Sequence, residues 1–462
     1  MKIAMIASEV VPFAKTGGLA DVVGALPLVL EDCGQEVIVI MPRYKCIKEG
    51  KFKTSRVFKD VSSAVIGNNI KVFFLENDLY FNRGGLYVDK NGDYQDNLER
   101  FAFFCRRALD LLKEIDFPAD ILHLHDWQSS LVAVYLKNLY AEDRFYSKMK
   151  SILTIHNLGY QGLFAEDEFG KLGLESNLFS VSGLEFYGRI NLLKGGIVFA
   201  DFINTVSPTY AEEIKSEELG FGLDGLLRER KDVLSGIVNG LDYYVWDPNT
   251  DNFIMHNFSA KTIEDKSFNK GDLQAICGLA VNKDIPVLGI VSRLVEAKGM
   301  DILTQGLDEL CKMDVQLVIL GMGDLKYHQI LSAAQRKYPK KISLNLKFDD
   351  PLAHKIYAGS DIFLMLSKYE PCGLGQLISL HYGTIPLVFK TGGLADTINK
   401  NNGFLLTTHN KEEFLKLLKK AVAVFKDKKK WMHLVNNALK CNFSWEASAK
   451  KYIQLYAKAK ES

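Results

Sequence analysis

Several short segments of this chain combine residue types that could do chemistry. Lys15–Asp21 reads KTGGLAD, and the same seven residues recur at Lys390–Asp396. Each copy falls between a predicted strand and a predicted helix. Paired glycines at such a junction let the backbone approach an anion, and free N–H groups at a helix start favour negative charge. The neighbouring Lys and Thr suit phosphate contact; two tight turns without a ligand are the plainer alternative. Ser292–Asp301 reads SRLVEAKGMD. Arg293 and Lys298 then lie just beyond the carboxyl end of a predicted strand. A planar guanidinium and a point-charge ammonium suit a diphosphate, where a solvated turn is the other reading. No GxxxxGK[ST] loop occurs, which disfavours ATPase chemistry.

Tyr369–Gln376 reads YEPCGLGQ. Glu370 precedes a proline that fixes the turn, and Gly373 and Gly375 permit close backbone approach. A carboxylate beside exposed N–H groups reads sugar hydroxyls well; a helix N-terminus with Glu in its first turn is the alternative. Cys372 has no His near it in sequence, so a nucleophilic role is not expected. His123–Gln128 reads HLHDWQ at a predicted strand end. His123 and His125 alternate onto one face beside Asp126, yet no further ligands stand at a recognisable metal spacing. A polar rim is expected there rather than a metal. His156, in TIHNLGYQG, also ends a predicted strand, and a satisfied structural histidine is the simpler account of it.

Alternating strands and amphipathic helices must position these residues. Strands are predicted at Ile3–Ala7, Val37–Met41, Lys71–Leu75, Ile121–His125, Ser151–Ile155 and Phe202–Val206. A second series comprises Val287–Val291, Gln316–Leu320, Ile342–Leu346, Ile362–Leu366 and Ile385–Phe389. The turn-rich stretch NGLDYYVWDPNTDN separates the two series, so a boundary is expected near Gly240. Three segments follow: an N-terminal Rossmann-like domain over 1–240, a second over 241–444, and a final helix from about Trp445 after a Ser444 cap. The expected fold class is α/β, with a ligand held at strand carboxyl ends in a cleft between the domains.

Composition narrows the function classes. The chain has 462 residues, 57 Lys plus Arg against 56 Asp plus Glu, and 47% apolar residues. At ~150 residues per domain, two or three domains are expected. Balanced charge argues against a nucleic-acid or membrane-surface binder acting through bulk charge. The tail from Lys411 is Lys-rich, but its charges are spread around helices and read as solvated faces. Seven scattered cysteines with no CxxC are expected to be buried, reduced thiols. The N-terminal apolar run is too short for a signal segment, and no run reaches ~18 apolar residues. A cytoplasmic location is expected.

Taken together, the motifs resemble those of bacterial and plant glycogen and starch synthases. KTGGLADVVGALP, YFNRGGLY, HLHDW, TIHNLGYQG, GLDGLLRER, IVNGLDYYVWDPNTD, SRLVEAKG, LAHKIYAGSD, YEPCGLGQL and FKTGGLADT occur in family order over almost the whole chain. The resemblance implies two Rossmann-like domains facing across a deep cleft, the B-type glycosyltransferase fold, with a C-terminal helix crossing back to the first domain. It implies transfer of glucose from ADP-glucose to the non-reducing 4-hydroxyl of an α-1,4-glucan, with retention, in glycogen biosynthesis. No cofactor or metal is implied, nor a nucleic-acid or membrane partner; the oligomeric state stays open.

By the same resemblance, Arg293 and Lys298 hold the donor diphosphate, with Lys15, Gly18 and Thr391 closing around it. Glu370 and the backbone at Cys372, Gly373 and Leu374 take the glucose hydroxyls, and Phe348 stacks on the base. His156 sits beside the anomeric carbon with its carbonyl facing it. Asp21, Tyr87, Asp126, Trp127 and Asn239 line the acceptor side. Departures from the family pattern are Gln128, Ala297, Leu366, Gly375 and His381. A transferase with another acceptor, as in sucrose or glycolipid synthesis, is disfavoured because Leu377 and Ile378 stand where such relatives carry a second Glu. A non-catalytic glucan binder is disfavoured by the retained Lys15, Arg293, Lys298 and Glu370.

Overall fold

The structure is a computed structural model that describes residues 1–50 and 52–462. The chain divides into two compact units, Met1–Gly240 with Trp445–Ser462, and Leu241–Ser444. The first unit is built on a nine-stranded sheet: β1 (Lys2–Ile6), β2 (Glu36–Pro42), β3 (Ser55–Phe58), β4 (Val61–Ile66), β5 (Ile70–Leu75), β6 (Ile121–His125), β7 (Lys150–Ile155), β8 (Phe202–Thr205) and β9 (Leu234–Gly236). Their spatial order is β9-β8-β7-β6-β1-β2-β5-β4-β3. From β9 to β5 every pairing is parallel, while β4 runs antiparallel to both β5 and β3. Chain order reverses between β1 and β6, so the loops after these two strands diverge and leave a crevice at their carboxyl ends.

The second unit holds a six-stranded parallel sheet: β10 (Val287–Val291), β11 (Gln316–Leu320), β12 (Ile342–Asn345), β13 (Ile362–Met365), β14 (Ile385–Phe389) and β15 (Phe404–Leu406). The order β12-β11-β10-β13-β14-β15 is that of a dinucleotide-binding sheet, with its reversal between β10 and β13. Helices cover both faces, so both residue sets of each strand are buried. Leu288, Ile290, Leu317, Ile319, Ile362 and Leu364 pack into one core layer. Val287, Val318, Leu320 and Phe363 pack into the other. This two-sided burial explains why these strands read as continuous apolar runs rather than as alternating ones.

The strands predicted from the sequence match those of the structure to within a residue or two at each end. Those missed are short or one-sided. The antiparallel pair β3/β4 reads as polar because one face is solvated, and β9 and β15 have three residues each. The expectation of buried cysteines holds only in part. All seven are free thiols, but Cys33 and Cys46 are exposed, since Cys33 caps a helix C-terminus and Cys46 lies on a short surface helix.

The last helix, Trp445–Glu461, belongs to the first unit. Its apolar stripe includes Tyr452 and Tyr456, both fully buried. A buried hydroxyl needs a partner, and both tyrosines find one on the sheet. Tyr456 Oη lies 2.8 Å from His123 Nδ1, and Asn204 Nδ2 donates to Tyr452 Oη at 3.3 Å. Lys460 pairs with Asp120 at 2.8 Å near the far end of the helix.

Candidate active site

In the second unit, a cavity of about 170 Å³ opens at the reversal between β10 and β13. Its lining includes Arg293, Lys298, Ser367, Glu370, Gly373 and Leu374. Each arrives on a segment that leaves a strand's carboxyl end. Arg293 lies two residues beyond β10 and is exposed; Ser292 Oγ and the Val295 N–H donate to its carbonyl, which leaves the guanidinium outside these backbone contacts. Lys298 ends a short 3-10 turn, closed by Gly299 at φ 74°. A side chain at Gly299 would sit 2.0 Å from the Leu366 carbonyl oxygen, so only glycine lets the Lys298 turn lie against the end of β13.

Lys298 Nζ donates to Glu370 Oε2 at 2.5 Å, and Ser367 Oγ donates to the same oxygen at 2.7 Å. Glu370 is 8% exposed, and these two donors satisfy one of its oxygens. The helix after it begins only at Gly375. Glu370 is therefore not in that helix's first turn, and the helix-terminus account of it is set aside. Cys372 is buried. Its carbonyl accepts from Gln376 Nε2 at 3.0 Å, which holds the Pro371–Leu374 turn in shape.

The two KTGGLAD copies are used differently. At Gly17 and Gly18 a Cβ would meet nothing within 4 Å, and Gly18 opens a helix of fifteen residues, Gly18–Asp32. At Gly392 (φ 42°) and Gly393 a Cβ would strike the carbonyl oxygens of Glu370 at 2.1 Å and Cys372 at 2.0 Å. The Gly393 N–H donates to the carbonyls of Glu370 and Pro371, each at 3.1 Å. So the expectation that both glycine pairs face an anion is corrected. The second pair is a packing contact that seats the Glu370 turn against Thr391, and only the first pair faces open space. Phe348, expected to stack on a base, is 88% exposed and is not among the cavity's lining residues.

In the first unit, β1, β6 and β7 deliver the other expected residues. Lys15 Nζ reaches Asp21 Oδ1 at 2.7 Å within one loop and helix turn. Glu9, two residues short of a cis Val11–Pro12 bond, holds that loop. It is 4% exposed and accepts from Thr16 N, from Thr16 Oγ1 at 2.6 Å and from Gly17 N at 3.3 Å. Tyr87 Oη donates to Glu9 at 2.7 Å as well. Burial beside Glu9 pushes the Tyr87 hydroxyl well above its ordinary range. The one signal of Glu9 in the sequence is an acid that breaks the apolar run at the start of the chain.

Asp126 adopts φ 55°, the left-handed region that Asp and Asn tolerate best among non-glycine residues. From there its carboxylate accepts from the His156 N–H at 2.7 Å. Burial raises its pKa to about 7, although the backbone N–H groups of His156 and Asn157 oppose the rise. The ring of His156 lies against His125, with Nε2 3.0 Å from Nδ1. Burial lowers His156 and His123 to about 3 each, and His125 well below its ordinary value. All three are neutral at pH 7, so the His125–His156 contact is a hydrogen bond between neutral rings. Trp127 packs edge-on against Phe101 at 4.9 Å and beneath Gly162, largely buried. Asn239 is buried, with its amide oxygen unpaired among the described residues. Among those residues no cluster of three or more His, Cys, Asp or Glu is arranged to hold a metal ion, and no helix is long and apolar enough to cross a membrane.

Each unit thus presents its chemistry at the reversal point of a Rossmann-type sheet, the architecture of B-type glycosyltransferases. The sequence agrees: residues 2–229 match the starch synthase catalytic domain, and residues 278–459 match glycosyl transferases group 1. The chain is a glycosyltransferase. It is 47% identical to the glycogen synthase of Thermosipho melanesiensis and 46% identical to that of Geotalea uraniireducens, over 99% of this chain and 99% and 98% of those proteins. Among solved structures it resembles the catalytic domain of starch synthase IV from Arabidopsis thaliana, determined with ADP and acarbose. That likeness has a TM-score of 0.90 and 33% identity, and covers 100% of this chain and 99% of the other. The chain belongs to the glycogen and starch synthase family.

Proposed function

We propose that this chain transfers glucose from ADP-glucose to the non-reducing 4-hydroxyl of an α-1,4-glucan, with retention, in glycogen biosynthesis in the cytoplasm. The observation that carries this reading is the cavity at the β10/β13 reversal, where two cations from one loop and a buried carboxylate from another converge. A departing nucleoside diphosphate gains negative charge while the sugar becomes oxocarbenium-like. Arg293 and Lys298 stabilise the first without reorganising, and Glu370 faces the second. Lys15, Gly18 and Thr391 are assigned to the donor phosphates, Cys372, Gly373 and Leu374 to seating the donor sugar, and Phe348 to the base. Asp21, Tyr87, Asp126, Trp127 and Asn239 are assigned to the glucan.

His156 acts through its backbone. Its ring is engaged by His125 and its N–H by Asp126, a fixed posture that suits presenting a carbonyl to the anomeric carbon. The incoming 4-hydroxyl attacks on the face the diphosphate leaves, and the departing phosphate oxygen takes its proton. No metal is assigned to this step, because the two cations supply the charge it needs. The test is the initial rate with ADP-glucose and with UDP-glucose on a glycogen primer, each with and without a strong chelator. Faster transfer from ADP-glucose, unchanged by chelator, is expected. Preference for UDP-glucose, or chelator loss restored by Mg²⁺, would overturn the respective part.

A further inference from the structure

Four non-glycine residues adopt positive φ among the described ones: Asp116, Asp126, Tyr187 and Phe221. Short polar residues adopt this conformation at small cost, whereas bulky ones are strained in it. The two aromatic cases share one surface. Tyr187-Gly188 is the two-residue loop between the paired segments Glu185–Phe186 and Arg189–Asn191, with φ 50° and 74°. A hairpin loop with both residues at positive φ calls for Asn-Gly or Asp-Gly, yet here the first place holds a tyrosine that is 81% exposed. Phe221-Gly222, in the turn before the helix Asp224–Glu229, has the same pair of positive φ values, 49° and 81°.

These pairs sit against each other and against the His156 loop. A Cβ at Gly222 would lie 2.9 Å from the Phe186 ring and 3.4 Å from the Tyr187 ring. The Phe221 ring lies 3.6 Å from the corresponding point on Gly159, and the Phe221 carbonyl accepts from Gln161 Nε2 at 3.1 Å. Tyr160, between those two residues, is 58% exposed. An aromatic surface therefore runs from the loop that carries His156, through Phe221-Gly222, to the Tyr187 tip. Apolar area presented this way, at a cost in backbone strain, marks a recognition site.

We propose that Tyr160 and Tyr187 form a stacking subsite for an α-glucan chain running out from the His156 loop. Glucose units are uncharged and carry C–H faces that pack on aromatic rings. A repeating glucan suits ring platforms spaced along a surface better than it suits a charged groove. This inference rests on the glucan reading given above.

The test uses Tyr187→Asn and Tyr160→Ser in the full chain. Glycogen affinity is measured by gel retardation without donor, together with KM for glycogen and for a short maltooligosaccharide, KM for the nucleotide sugar, and the melting temperature. Glycogen binding is expected to weaken about five- to tenfold in each variant, the size of a lost aromatic contact. KM for the donor and for the short acceptor should stay at the parent values. Tyr187→Asn should melt at or above the parent temperature, because Asn suits the turn. Unchanged glycogen affinity would overturn the proposal, as would a loss of melting temperature parallel to the loss of binding. Dissociation of an oligomer with glycogen binding intact would assign the surface to a second copy instead. If the parent bound glycogen but transferred no glucose, the functional reading would fail while the subsite stood.

Discussion

Replacing Glu370 by Gln keeps its shape and removes its charge, and the structure gives the two consequences opposite signs. In the free protein, Glu370 Oε2 accepts from Lys298 Nζ at 2.5 Å and from Ser367 Oγ at 2.7 Å. The Lys298 side chain is 24% exposed and that of Glu370 10%. A diphosphate that takes up Lys298 must therefore compete with the carboxylate for the ammonium. Partly exposed ion pairs are worth on the order of 1 kcal/mol net, so weakening this one should tighten ADP binding by up to about fivefold. The chemical step should move the other way. A carboxylate facing a developing oxocarbenium ion contributes about as much as an oxyanion-hole donor, some 10²–10³ in rate or ~3–4 kcal/mol. Calorimetric titration with ADP and single-turnover transfer to glycogen separate the two effects. ADP binding that weakens in proportion to the rate would make Glu370 a ground-state binding residue and refute the reasoning. A trapped glucosyl–Glu370 adduct in the parent would refute it by another route.

Asp126→Asn should stabilise the protein at pH 8 and leave it unchanged at pH 4. The folded carboxyl holds its proton up to about pH 7, against 3.8 for the ordinary group. Its contribution is thus complete below pH 4 and is lost as pH rises through 7, by at most about 4 kcal/mol. Some of that gain is offset because an amide oxygen accepts the His156 N–H less strongly than a carboxylate, so a gap of ~1–2 kcal/mol at pH 8 is expected from denaturant titrations at the two pH values. A gap that is the same at both would count against it. Glu9→Gln sets an amide NH₂ against the donors of Thr16, Gly17 and Tyr87, and should cost roughly 1–3 kcal/mol of stability by thermal unfolding together with turnover. Arg293→Ala removes an exposed side chain, so stability should move by less than ~0.5 kcal/mol while turnover falls about 10²-fold. A near-normal rate would remove Arg293 from the donor assignment.

Much of this was legible in the sequence because the information is local. In the second unit, mainly apolar runs of four to five residues specify buried parallel strands, since helices cover both faces; the first unit's strands stay recognisable even though His123, Thr154 and Asn204 are buried within them. Loops after β10 and β13 carry Arg293, Lys298 and Glu370 at fixed distances from strand ends, so a strand prediction already places them. Other features depend on contacts between distant segments. The two KTGGLAD copies are identical in sequence, yet one leaves its glycines open and the other closes them on the carbonyls of Glu370 and Cys372. Only the packing partner distinguishes them. Glu9 is a lone acid in an apolar run by sequence, and its role comes from four donors that two separate segments bring to it. The neutrality of His123, His125 and His156 likewise follows from burial, which no spacing encodes. Residue type and spacing determine which groups stand at strand ends. Tertiary packing decides which of them meet, which charges survive desolvation, and which glycines remain open.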